Sequence, residues 1–147
     1  MTTSMLPEMY GSSVGAHVVN TDIENGTMRL KMRVEAEHIT TSGVLDEGLV
    51  ATIADNHTTF LLMSHSLSVQ PDQMPISVSI CLTVHTMAHI APGTDIEIVC
   101  STPLATSTLK QPQAAAVFVD AHDNRIVYAK VTHSKQFKEV PGYNSKL

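Results

Sequence analysis

One helical period in an otherwise strand-like chain is the strongest constraint on its fold. Gly43-Val44-Leu45-Asp46-Glu47-Gly48 supplies a glycine turn and an acidic N-cap, and an apolar run follows. At 100° per residue, Val50, Ile53, Ala54, His57 and Leu61 share one stripe, while Gly48, Thr52, Asp55 and Thr59 share the opposite side. The spacing predicts one helix over 46–66 with Asp46 as N-cap. A lone helix has no second helix to pack on, so a sheet must cover its stripe. The other face, with a carboxylate two turns in, is left for water or a second subunit. The simplest reading of that face is a solvated one. The more specific reading is a site, because it aligns a carboxylate, two hydroxyls and the helix N-terminal amides.

The flanking segments read as strands. Residues 14–23 lead into Glu24-Asn25-Gly26-Thr27, whose Asn-Gly pair suits a tight turn. Met28-Arg29-Leu30-Lys31-Met32-Arg33-Val34 alternates without a fault and puts its basic residues outward. Beyond the helix and the Pro71–Pro75 loop, Ile76, Val78, Ile80, Leu82 and Val84 alternate with Ser77, Ser79, Cys81, Thr83 and His85. Ile96, Ile98 and Cys100 alternate after the Pro92-Gly93 turn, and residues 114–120 and 126–137 complete the set. The expected class is α+β: one long helix wrapped by a curved antiparallel sheet of about six strands. The expected organisation is a loose arm over 1–13, a single domain over 14–138 and a tail over 139–147. At 147 residues the chain is long enough to bury a real core.

Composition excludes several partners. The net charge is −5, Trp is absent, and no basic stripe or aromatic platform is present, so nucleic acid is not expected. No stretch approaches the roughly 18 apolar residues of a membrane span. The first basic residue is Arg29, which argues against secretory and transit leaders. An intracellular, cytoplasmic location is expected, with the mitochondrial matrix as the alternative. Cys81 and Cys100 lack metal-type spacing and read as a buried pair of reduced thiols. His85 and His89 flank a strand end and would not converge, and His57 reads as a core histidine with one satisfied nitrogen. Neither a metal nor a cofactor is expected.

The order of elements resembles the hotdog-fold acyl-CoA thioesterases, in particular the branch with the phenylacetate-pathway and small mammalian enzymes. Four runs carry the resemblance over 34–137. Glu37-His38 with Gly43-Val44-Leu45 resembles the family's entry to the helix. Ala51-Thr52-Ile53-Ala54-Asp55-Asn56 is similar to the helix body, Ser77-Val78 to the start of a central strand, and His133-Ser134-Lys135 to a His-Thr-Lys run near the end. Where the family reads Leu-His-Gly-Gly, this chain has Leu45-Asp46-Glu47-Gly48, and Thr40 stands where close members carry Asn.

The resemblance implies hydrolysis of an acyl thioester of coenzyme A or a carrier protein, in a homodimer or homotetramer with sites between subunits. It implies Asp55 as base or nucleophile and the Glu47 backbone amide as oxyanion donor. A left-handed backbone at that position would strain Glu47. Thr40, Thr59 and Ser77 are the candidate polar partners of the reacting water or carbonyl. Gly48 and Thr52 are candidate substrate contacts, and Lys135, grouped with Lys130 and Lys138, is a candidate for phosphate. Each has an ordinary alternative: loop or surface hydroxyls for the threonines and serine, and a solvated strand face for the lysines. Asp46 as a simple helix cap is worth roughly 1 kcal/mol. Two rivals stand beside hydrolysis: a non-catalytic acyl-thioester-binding or scaffolding protein of this fold, and a lyase or isomerase. The last would need a histidine facing substrate, and His57 lies on the wrong side of the helix.

Overall fold

The computed structural model describes residues 15–69, 76–103 and 112–138; the expected N-terminal arm and the 139–147 tail lie outside them. Strand β1 (His17–Asp22) and strand β2 (Thr27–Arg33) form an antiparallel hairpin. Its turn puts only Gly26 at positive φ, with Asp22 Oδ1 accepting from the Asn25 amide at 3.0 Å. Met28, Leu30, Met32 and Val34 are buried while Arg29, Lys31 and Arg33 are exposed, as the unbroken alternation requires.

A short 3-10 turn (Ala36–His38), absent from the sequence reading, opens the loop to the helix. Helix α1 (Glu47–Val69) is 23 residues long and ends one turn later than expected. Strands β3 (Ile76–Thr86), β4 (Asp95–Ser101), β5 (Gln113–Asp120) and β6 (Val127–Lys138) follow. All pairings are antiparallel, and the six strands lie in the order β1-β2-β4-β5-β6-β3. The sheet wraps α1, burying Val50, Ile53, Ala54, His57 and Leu61 against Leu30, Ile96, Ile98, Phe118 and Val131. Burying a side chain of this kind contributes about 1.5–3 kcal/mol, so the stripe fixes the helix on the sheet.

Strand β3 departs from its expected alternation. It pairs with β6 through Ser79↔Lys135, then Cys81↔Ser134 and Leu82↔His133, so a β-bulge at Ile80 adds one residue. The extra residue changes the parity within the strand. Leu82 and Val84 pack on the core, but Val78 and Ile80 are about half exposed and Ser79 shares the helix side with Lys135. The strand is therefore not apolar on one face from end to end. The expected buried pair of thiols is also corrected: Cys100 is buried, with its thiol pushed up to about 12 by burial, but Cys81 alternates with inward Leu82 and is exposed.

Candidate active site

The loop before α1 is held by its backbone. The Thr40 amide donates to the Val44 carbonyl at 2.8 Å, the Gly43 amide to Thr40 at 2.9 Å, and the Asp46 amide to His38 at 2.9 Å. Gly43 has φ +83°, and a Cβ there would lie 2.8 Å from His89 Nδ1, so the turn requires glycine. Asp46 caps the helix, its Oδ1 accepting from the Leu49 amide at 2.9 Å. Glu47 is the first helical residue and carries no positive φ, so the strain that a left-handed backbone would bring does not arise. Its side chain is exposed, and its amide points out of the helix end with the other N-terminal donors.

Asp55 lies two turns into α1, its side chain half exposed. Ser79 Oγ is 3.3 Å from Asp55 Oδ1, Thr59 Oγ1 donates to the same oxygen at 3.4 Å, and His133 Nε2 lies 3.5 Å away. Ser79 is also 3.0 Å from His133 Nε2 and accepts from Lys135 Nζ at 3.0 Å. Helix α1 thus delivers a carboxylate, β3 a hydroxyl, and β6 an imidazole and an ammonium to one point. His133 and Lys135 are buried beneath it.

The proton pattern follows from counting donors. Thr58, buried one turn from Asp55, has one hydroxyl proton and lies 2.6 Å from the Ala54 carbonyl and 2.7 Å from His133 Nδ1. A carbonyl only accepts, so Thr58 donates to Ala54 and accepts from His133 Nδ1–H. Nε2 then keeps its lone pair and accepts the Ser79 proton. Burial holds His133 below the ordinary imidazole value, the Lys135 charge adds to that, and Asp55 opposes both. Burial likewise holds Lys135 down, opposed by Asp55.

The other candidates lie elsewhere. Thr40 Oγ1 meets Ser42 Oγ at 2.9 Å and the Val44 carbonyl at 3.2 Å, within its own loop. Thr52 bonds back to the Gly48 carbonyl at 2.8 Å, and both residues are exposed on the first turns of α1. For Ser77 only the backbone is described, opposite Phe137. The solvated strand face expected for the lysines holds for exposed Lys130 but not for Lys135, which the β6 parity turns inward beside His133. His57 is a core histidine with Nδ1 2.8 Å from the Ile53 carbonyl and Nε2 buried without a partner. Sequence reading missed Thr58 and Ser79, two hydroxyls in a hydroxyl-rich chain. The available signal was the alternation of β6, which puts Val131, His133 and Lys135 on one face.

No protein-family model matches the chain, and no curated protein sequence matches it. Solved structures do. Mouse thioesterase superfamily member 2 superposes with a TM-score of 0.66 at 20% identity, covering 84% of this chain and 81% of that one. The Escherichia coli PaaI protein of the phenylacetic acid degradation operon gives 0.66 at 12%, covering 85% and 80%. A hypothetical thioesterase from Streptococcus pneumoniae, solved with coenzyme A, gives 0.65 at 9%, covering 84% and 86%. The chain therefore has the hotdog fold of these thioesterase superfamily structures, one long helix wrapped by a six-stranded antiparallel sheet.

Proposed function

We propose that the protein hydrolyses acyl thioesters, with Asp55 as the general base that takes a proton from the attacking water. The observation that carries this reading is the setting of Asp55: a carboxylate on a helix face, open to solvent on one side and surrounded on the other by Ser79, Thr59 and His133. A carboxylate that accepts from the Thr59 hydroxyl and packs beside Ser79 and His133 is held in one orientation while leaving lone pairs for a water. The solved neighbours add the substrate class: one is a thioesterase with coenzyme A, and another, from Streptococcus mutans, is bound to acetyl-CoA.

The oxyanion donor in this reading is the Glu47 amide, favoured by its place at the positive end of the helix dipole. Glu47 and Asp55 are eight positions apart on one helix, which at 1.5 Å per residue is about 12 Å. That exceeds the span between the attacking water and the carbonyl oxygen of one thioester. A complete site therefore takes the amide from one subunit and the carboxylate from another, with two helices running side by side in opposite directions. The edge of the sheet supports such pairing: β3 is an outer strand of 11 residues with Val78 and Ile80 exposed.

The test is a panel of acyl-CoA and acyl-carrier thioesters, aliphatic and aromatic, with release of free thiol as the readout. Hydrolysis of at least one class is expected. Binding without thiol release across the panel would replace hydrolysis by the acyl-binding reading.

A further inference from the structure

We propose that Ser79 is a nucleophile, activated by His133, and that the reaction passes through an acyl group carried on Ser79 Oγ. This rests on the thioester reading above and specifies what the Asp55-bound water attacks.

Three observations point to it. First, Ser79 Oγ lies 3.0 Å from His133 Nε2, the separation of a serine from its general base. Second, the far side of the imidazole is already arranged for protonation. Nδ1–H donates to Thr58 whether the ring is neutral or charged, because the Thr58 proton is committed to Ala54 at 2.6 Å. Gaining a proton therefore changes only Nε2, which turns from accepting to donating. Asp55 Oδ1, 3.5 Å from Nε2, would stabilise the resulting cation. Third, the buried Lys135 Nζ donates to the same Ser79 oxygen at 3.0 Å, where it favours negative charge on Oγ. A serine on an ordinary strand has no reason to meet a buried imidazole and a buried ammonium at once. Here the Ile80 bulge keeps Ser79 on the helix side together with Leu82 and Val84.

In the first step Oγ bonds to the thioester carbonyl carbon as its proton passes to His133 Nε2. The C–S bond then breaks with its electron pair on sulfur, which takes the proton back from Nε2 and leaves as the free thiol. In the second step a water gives a proton to the Asp55 carboxylate and bonds to the same carbon. The C–Oγ bond breaks, and Oγ recovers its proton from Asp55. The sum is thioester plus water to acid plus thiol, with every side chain restored.

The two steps use different bases, so they can be separated. Asp55→Asn should slow the second step, which loses its base, more than the first, which loses only the 3.5 Å contact to the His133 cation. The acyl group should then accumulate. Treated with acyl-CoA and quenched in acid, that variant should release about one thiol per chain in a burst and carry one acyl group, located by peptide mass on Ser79. An Asp55→Asn, Ser79→Ala double variant should show neither. Added to Asp55→Asn, Thr58→Val, which keeps the side-chain volume but removes the Nδ1 acceptor, should lower the burst rate about 10-fold or more and leave the final acyl stoichiometry unchanged.

A parallel arm uses p-nitrophenyl acetate, which requires no coenzyme A recognition. Acetylation of Ser79 by this ester in a protein inactive on every thioester would defeat the thioesterase reading and uphold the nucleophile. Thioester turnover with no acyl group on Ser79 in Asp55→Asn, or a Ser79→Ala enzyme at the wild-type rate, would overturn the nucleophile and leave direct attack by water.

Discussion

At the scale of single residues, protons in this molecule are placed by groups that have only one way to bond. The Ala54 carbonyl commits the Thr58 proton, and Thr58 in turn commits His133 Nδ1. His57 is a second neutral imidazole, held below its ordinary value by burial against a smaller opposing effect from the Ile53 carbonyl. Both depressed histidines link stability to pH. The unfolded chain protonates them at the usual value of about 6.5, before the folded chain does. Their contribution is therefore complete above that value and is lost as pH falls through the interval below it. Melting temperature measured in steps from about pH 7.5 down to 5 should fall below pH 6.5. A melting temperature that stays level or rises over that interval would show that neither ring is buried neutral.

At the scale of elements, the helix start offers a clean test, because its first position tolerates proline. Glu47 is that position, proline there sacrifices only an N–H that has no intrahelical acceptor, and its fixed φ suits the first turn. Glu47→Pro should therefore fold normally and lose about 10²–10³-fold in thioester turnover, the usual cost of one oxyanion donor. Unchanged turnover would place the donor elsewhere. Glu47→Gly, with no strain to relieve, should keep activity.

Much of this element-level picture was legible in the sequence. The helix stripe and the alternation of β2 each follow from one period applied to unambiguous residues, and Asp55 and Thr59 share a helix face by the same rule. Strand β3 was legible only as a strand. Its residues alternate perfectly, yet in its pairing with β6 an extra residue at Ile80 puts Ser79, not Ile80, opposite the inward Lys135. No pattern within β3 marks that bulge. The sequence therefore gives Ser79 no role, and offers Lys135 only as a phosphate contact or part of a solvated strand face. The cluster around Asp55 exists through cross-strand pairing, which one-dimensional periodicity does not contain.

At the scale of the whole molecule, the fold leaves two needs that one copy does not meet. The β3 edge is long and bears exposed apolar side chains, and the proposed donor and base lie about 12 Å apart on one helix. Light scattering at micromolar concentration should give the mass of a dimer or a larger even-numbered assembly. Ile80→Lys on the exposed edge should shift it toward monomer and reduce turnover together. A fully active monomer would contradict a site shared between copies. The central claim, that the carboxylate at Asp55 drives thioester hydrolysis, is tested most directly by steady-state turnover of Asp55→Asn on the best substrate of the panel. The substitution keeps side-chain shape at a half-exposed position, so melting temperature and assembly mass should not change. Turnover should fall about 10²–10⁴-fold; an Asp55→Asn protein that turns over at the wild-type rate would contradict the assignment.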